Sequence, residues 1–257
     1  MGIPNHQILS VNRQGPPVRH VTDITGLMAR WIASDLDASL SNGADVVSWT
    51  DHSGNGWTAT NPNASGSRPT FVKPASGING RSAVQSNNQR AMRTTSGLSF
   101  GRFSPYTFVI VFQITGTAPT GETGLFGVAT GNLDGFRTGM AGSNQWEYTV
   151  PSVGNFMTPI NTLSVNTWNY MMMVHDSTAT PKIAIYLNDP TTQIPWQPGS
   201  APTDTQGQNT ASIFYFGSSG FQNSNNQVAE CMIFSQALNA TDRGVIQVYC
   251  QDTYGLL

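Results

Sequence analysis

Charge is scarce in this sequence. Asp, Glu, Lys and Arg together make up 10% of its 257 residues, against roughly a quarter in an average soluble domain. The formal net charge is -2 and no Lys/Arg run occurs. The electrostatic footprint of a nucleic-acid binder is therefore missing, and nucleic acid is not an expected partner. No apolar run approaches the roughly 20 residues that span a bilayer, so no membrane partner is expected either. The opening residues, MGIPNHQILSVNRQGPPVRH, lack the apolar stretch and small-residue cleavage site of a secretory signal. His6 stands where N-myristoylation wants Ser or Thr. The expectation is a chain made and kept in a cytoplasm, or one whose signal is not part of this sequence.

Cysteine is nearly absent. Cys231 and Cys250 form neither a disulfide framework nor a metal motif. They read as two buried thiols, or as one disulfide tying the C-terminal segment to the last strand in an oxidising compartment. Groups for acid–base chemistry are thin as well. The Glu residues are Glu122, Glu147 and Glu230, and the His residues are His6, His20, His52 and His175. No H-x-x-x-H spacing links the histidines, and no cofactor is expected. A calcium ion needs several converging oxygens; Asp51, Asn55, Asn132 and Asp134 lie in loops and could supply some, without EF-hand spacing.

What fills the chain instead is short strands separated by Gly, Pro, Asn, Ser and Thr clusters. TFVIVFQ (107–113) is apolar on both faces, the mark of a central strand covered on both sides. WNYMMMVH (168–175) places Trp168, Tyr170, Met172 and Val174 on one face and Asn169, Met171, Met173 and His175 on the other. KIAIYLN (182–188) alternates with Ile183, Ile185 and Leu187 inward. SIFYFG (212–217) and QVAECMIFS (227–235) read as later strands, and VVSW (46–49), PTFV (69–72), SAVQ (82–85), GLFGVA (124–129) and WEYTV (146–150) as shorter ones. One helix is expected near the C-terminus, capped by Asn239, with Asp242 in its first turn and Gly255 as its stop. Val245, Ile246, Val248 and Tyr249 give it an apolar side. Residues 1–26, with Pro4, Pro16 and Pro17 and no sustained period, read as an extended N-terminal arm lying on its own domain or on a partner. Residues 27–257 read as one all-β domain, a sandwich or jelly roll.

Residues 49–57, WTDHSGNGW, bracket an acid, a His and a Ser between two Trp. Neighbours at i, i+1 and i+2 cannot form a linear relay; triads are assembled from distant positions. Short polar side chains and glycines instead predict a tight turn. Sugars offer an apolar C–H face and a ring of hydroxyls, which aromatic platforms and amides meet. Trp57, Trp146, Tyr148 and Trp196 lie in or beside loops. The segments GSNQWEY (142–148) and FQNSNNQ (221–227, containing Asn225) add amides, and residues 189–211 form a long loop around Trp196. These five residues, Trp57, Trp146, Tyr148, Trp196 and Asn225, are the candidates for binding a glycan or a protein partner, which composition does not separate.

The same residues carry a resemblance. WTDHSGNGWTAT (49–60) resembles the W-x-D-x-S-G-N-G signature near the start of concanavalin A-like, laminin-G-like jelly-roll domains. RPTFVKPASGINGRSAVQ (68–85), SPYTFVIVFQIT (104–115), WNYMMMVHD with KIAIYLND, and IFYFGSSG with QVAECMIFSQALNATDRGVIQVYCQDTYGL follow in the family's order. The resemblance covers residues 28–257. It implies two facing antiparallel sheets, and a family in which many members bind glycans or proteins and some are enzymes, so fold alone does not fix function. Members that cut β-glucans carry an E-x-D-x-(x)-E strand motif, which this chain lacks; Glu230 matches a position where the family also places an acid. The expected fold is therefore a two-sheet concanavalin A-like jelly roll with one short C-terminal helix and an extended N-terminal arm. The expected function is non-enzymatic: a structural or surface protein of a bacterial virus particle, as a capsid decoration, fibre or tail adhesion domain. On that expectation residues 1–26 dock on capsid or tail proteins, the jelly roll faces outward towards host glycans, and the chain forms a homo-oligomer. It is assembled in the host cytoplasm and ends at the virion surface. A free extracellular lectin is the alternative, and a glycoside hydrolase or lyase without the usual acidic motif a weaker one.

Overall fold

A computed structural model of the chain describes residues 19–61, 68–74, 78–87, 91–94, 98, 104–116, 123–130, 134–150, 154–202, 213–217 and 225–256. These form two antiparallel sheets and one α-helix. The first sheet runs in the order β13 (Ile183–Leu187), β12 (Trp168–His175), β7 (Tyr106–Ile114), β15 (Asn225–Phe234), β5 (Ala83–Asn87) and β4 (Thr70–Val72). Its seventh strand, β1 (Leu27–Ile32), pairs with the C-terminal half of β15. The second sheet runs β11 (Gly154–Met157), β10 (Gln145–Val150), β9 (Asp134–Ala141), β8 (Thr123–Thr130), β14 (Ile213–Gly217), β6 (Ala91–Thr94), β3 (Thr58–Thr60) and β2 (Ser48–Thr50). This is the jelly-roll type of sandwich expected from the strand pattern.

The two sheets meet over one core. Phe108, Ile110 and Phe112 of β7, Met171 and Met173 of β12, and Cys231 and Ile233 of β15 pack against Phe126, Phe136, Met140, Trp146 and Tyr148 of the second sheet. The first sheet has a second buried face. Val109, Val111, Tyr170, Met172, Met232 and Phe234 lie under helix α1 (Ala240–Tyr254). That double burial is why TFVIVFQ has no polar face, and it divides the WNYMMMVH strand as its alternation predicted. Asn239 caps α1 by accepting from the Asp242 amide at 3.0 Å, and Gly255 ends it in the left-handed region at φ 70°. The buried stripe of the helix is Asp242, Ile246, Cys250 and Tyr254, a strict i, i+4 series. Val248 is 44% exposed; it lies two positions from Ile246, well round the helix from that stripe, so it does not belong to the apolar side it was expected to join.

Cys231 faces the core between the sheets and Cys250 the core under the helix, and both are free thiols. Burial pushes both thiols well above their ordinary pKa. Residues 19–26 pack on the domain: Val21 and Ile24 are buried in the helix-side core, and Arg19 pairs with Asp242 at 2.9 Å. Residues 1–18, most of the expected arm, lie outside the described residues. So do residues 203–212 of the long loop; its described part, 189–202, runs beside β13 and bonds it through the Ile194 amide to the Ile185 carbonyl at 2.8 Å.

Candidate functional site

The stretch between Trp49 and Trp57 is built by hydrogen bonds to β1. Asp51 Oδ1 accepts from the Arg30 amide at 2.6 Å and from the Ser53 amide at 2.8 Å. Asp51 Oδ2 faces the Ser53 hydroxyl at 2.6 Å and the Trp57 amide at 3.4 Å. The His52 amide donates to the Arg30 carbonyl at 2.7 Å, and the Asn55 side-chain amide donates to the Leu27 and Met28 carbonyls at 3.2 and 2.9 Å. The loop thereby satisfies the edge of β1 that no strand covers. Gly54 and Gly56 adopt φ of 87° and 77°, which only glycine takes up without strain. The His52 ring turns away from Ser53 and bonds Asp35 at 2.9 Å. No Asp–His–Ser relay exists here. Nor does Asp51 suit calcium: N–H and O–H donors occupy its oxygens, where a cation would need them free. Asn132 and the side chain of Asp134 lie outside the described residues.

Beside this loop opens a cleft of about 430 Å³ lined by Gly26, Leu27, Met28, Asn55, Trp57 and Ser235, within the size range of ligand clefts. It sits where β1 begins and β15 ends. Gly26 is at φ 80°, and a Cβ there would fall 2.9 Å from Ser235 Oγ, so this wall has to be bare backbone. Trp57 is half-buried against the inter-sheet core and keeps part of its ring at the surface. The cleft thus joins an indole, two aliphatic side chains, an amide and a hydroxyl.

The five residues singled out in the sequence do not converge. Trp57 lines the cleft. Trp146 and Tyr148 are fully buried between the sheets. They alternate inward along β10 with the polar Gln145, Glu147 and Thr149 between them, so neither ring offers a face to a ligand, which corrects their candidacy. Trp196 is half-buried, and its indole N–H donates to the Ile183 carbonyl at 3.0 Å, pinning the long loop beside β13. Asn225 is exposed at the start of β15, ten residues from Ser235 and so about 30 Å away along the strand. Met28 and Ser235 line the cleft without having been singled out in the sequence, and Asn55, which does too, had been named there only as a possible calcium oxygen. The signal for Asn55 was its place in the turn motif; for Met28 and Ser235 only the pairing of β1 with β15 brings them to the cleft.

The buried Glu side chains among the described residues are engaged away from the cleft. Glu230 is fully buried. Its Oε1 accepts from Arg30 Nε at 2.7 Å, and its Oε2 accepts from the Tyr249 hydroxyl at 2.6 Å and from the Tyr254 hydroxyl. Arg30 also donates to the Tyr249 oxygen at 2.7 Å. Burial alone would lower the Arg30 pKa; Glu230 and Tyr249 more than reverse this, and the guanidinium stays charged. Burial and the Glu230 charge push both phenols up, so they remain donors. A bulge between Val228 and Glu230 in β15 turns the acid out of the inter-sheet core onto the helix side. Glu147 is also buried and accepts from Thr149 Oγ1 at 2.9 Å; Glu122 lies outside the described residues. Among the described residues no group of three His, Cys, Asp or Glu could hold a metal, and no helix is long and apolar enough to cross a membrane.

No family model and no curated protein matches the sequence. Solved structures do share the architecture. A Trypanosoma rangeli sialidase in complex with sialic acid superposes with a TM-score of 0.56 at 16% identity, over 93% of this chain and 34% of that one. Botulinum neurotoxin type C, whose cell entry is dependent upon interaction with two ganglioside molecules, gives 0.56 at 12% identity over 81% and 51%. The binding domain of Paraclostridial Mosquitocidal Protein 1 gives 0.55 at 15% over 91% and 53%. This chain therefore spans about a third of the sialidase and about half of the toxin chains. At such identities the likeness establishes a shared β-sandwich fold.

Proposed function

We propose that this chain is a non-enzymatic recognition domain that binds carbohydrate at the Trp57 cleft and is displayed on the surface of a virus particle. The observation that carries the binding role is the cleft itself: an indole beside aliphatic groups, with an amide and a hydroxyl at its rim. That is the combination a pyranose needs, a face for its C–H bonds and partners for its hydroxyls. The toxin and sialidase neighbours support it as proteins whose chains, in part of this fold, are known with gangliosides or sialic acid. A non-catalytic role is supported by the state of the acids. Glu230 and Glu147 are buried and bonded, Asp51 is tied into the turn, and no two of these three flank the cleft as a glycosidase pair must flank a glycosidic bond.

Display on a particle rests on the laminin-G-like sequence order, the polar, charge-poor composition and the N-terminal segment. In this reading residues 1–18 make the attachment to capsid or tail proteins, and the packed residues 19–26 fix the point from which they leave. A free carbohydrate-binding module is the second reading. The burial of Val21 and Ile24 favours it, because that part of the segment serves the domain's own core. Two measurements test these readings. Glycan-array binding of the full chain should fall at least tenfold on Trp57→Ala, and unchanged binding would remove the cleft from the function. Deleting residues 1–18 should leave a folded domain that no longer incorporates into particles; normal incorporation would refute the attachment.

A further inference from the structure

The cleft has a hydrogen-bonding polarity, set by what its groups already do. The Asn55 amide nitrogen faces three oxygens, those of Leu27, Met28 and Ser53 at 3.2, 2.9 and 3.1 Å. Two are carbonyls, so only the NH₂ group can face them, and the acceptor Oδ1 is the atom left without a partner among the described residues. Ser235 donates its hydroxyl to the Gly26 carbonyl at 3.3 Å and its amide to the same oxygen at 2.8 Å. Its lone pairs remain. The side-chain donors at the rim thus point into the protein and the acceptors point out; the Trp57 indole N–H is the remaining side-chain donor, and it is neutral.

Among the described residues no charged side chain lines the cleft. The nearby cations are committed: Arg30 sends its guanidinium to Glu230 and Tyr249 on the helix side of the sheet, and His52 bonds Asp35. An anionic sugar placed here would give up hydration of its carboxylate for acceptor oxygens and a single neutral donor, which is unfavourable. A neutral sugar has what the cleft asks for: hydroxyl protons to give to Asn55 and Ser235, and a C–H face for Trp57.

Resting on the carbohydrate reading of this cleft, we infer that its ligand is a neutral pyranose and that it discriminates against sialylated and other acidic glycans. The inferred preference differs from the sialic acid and gangliosides named for two structural neighbours.

The test is an array of neutral oligosaccharides printed beside their sialylated and uronic-acid counterparts, lactose and 3′-sialyllactose among them. It is probed with the full chain and with Trp57→Ala, Trp57→Phe and Ser235→Lys, each checked for folding by circular dichroism. Neutral sugars should bind, terminal sialylation should weaken binding tenfold or more, Trp57→Phe should keep most of it, and Ser235→Lys should raise the sialylated signal several-fold by adding a cation at the rim. Sialylated glycans bound as well as neutral ones, with loss on Trp57→Ala, would overturn the neutrality of the site and leave the carbohydrate reading standing. Binding of neither class, or binding indifferent to Trp57→Ala in a folded variant, would overturn that reading and this inference with it.

Discussion

Arg30 is held from two directions, and the two holds are of different kinds. Its backbone is bound by the Asp51–Trp57 loop at the rim, through the Asp51 carboxylate and the His52 amide. Its side chain is bound by Glu230 and Tyr249 in the buried layer under α1. In the loop, polar groups satisfy an exposed strand edge and some hydrogen-bonding capacity is left over, at Asn55 Oδ1 and around Trp57. Around Glu230 beneath the helix nothing is left over: both carboxylate oxygens, the guanidinium and the Tyr249 and Tyr254 phenols have partners. The difference teaches where recognition can occur. A concentration of reactive residue types does not make a site; unfilled hydrogen-bonding capacity at an accessible surface does.

The largest effect should come from the buried hold. Glu230→Ala strands a charged Arg30 and two phenols in a dry layer, a loss of about 3–5 kcal/mol by analogy with broken buried ion pairs, to be read from urea unfolding. A loss below that of Asp51→Ala would invert the ranking of the two holds. Asp51→Ala removes the acceptor for three amides at the rim and should cost about 1–3 kcal/mol, with Asp51→Asn recovering part of it. Proton uptake offers a third comparison. His175 is buried, stacked on Tyr106 at 4.4 Å and bonded through Nδ1 to the Ser104 carbonyl at 3.0 Å. Burial lowers its pKa, with Lys182 adding to this and the Ser104 carbonyl and Asp176 opposing it. The unfolded chain therefore binds a proton at His175 as pH falls through about 6.5, and the folded chain only at lower pH. Stability is full above that range and declines below it. Asp176 and Asp189, held low by hydrogen bonds from Thr178 and Thr191, add their losses only below about pH 4. Urea midpoints measured from pH 7 to 5 should slope downward towards acid, and the slope should flatten in His175→Phe. The smallest effect belongs to Ser235→Ala, which removes one long hydrogen bond at an exposed position and should change stability by less than about 0.5 kcal/mol while weakening sugar binding at the cleft.

Of the strands in the first sheet, β7, β12 and β15 could be recognised as near-continuous apolar runs because burial acts on both of its faces, and β13 by its alternation. Others could not. In β9 the inward positions are Phe136, Thr138 and Met140, of which the middle one is polar, and Gly135 and Gly139 carry no side chain, too weak an alternation to stand out. β3 is three residues long. β1 contains Arg30, whose charge reads as exposed until the pairing with β15 brings Glu230 within reach of it. The bulge at Ala229 was equally hidden, since strict alternation would have sent Glu230 into the core with Val228. The site was only partly readable. The motif located the turn and Trp57, but Trp146 and Tyr148 were indistinguishable from loop aromatics without the register that sends them inward. Ser235 and Met28, over 200 residues apart in the chain, meet only through strand pairing.

The placement of the two thiols has a consequence for where the domain can live. Cys231 and Cys250 lie on opposite faces of one sheet, each sealed in its own core. The sheet stands between them as a partition, so oxidation cannot join them while the fold persists, and burial keeps each in its unreactive protonated form. The folded domain is thus indifferent to redox conditions: the same packing holds whether the surroundings are reducing or oxidising.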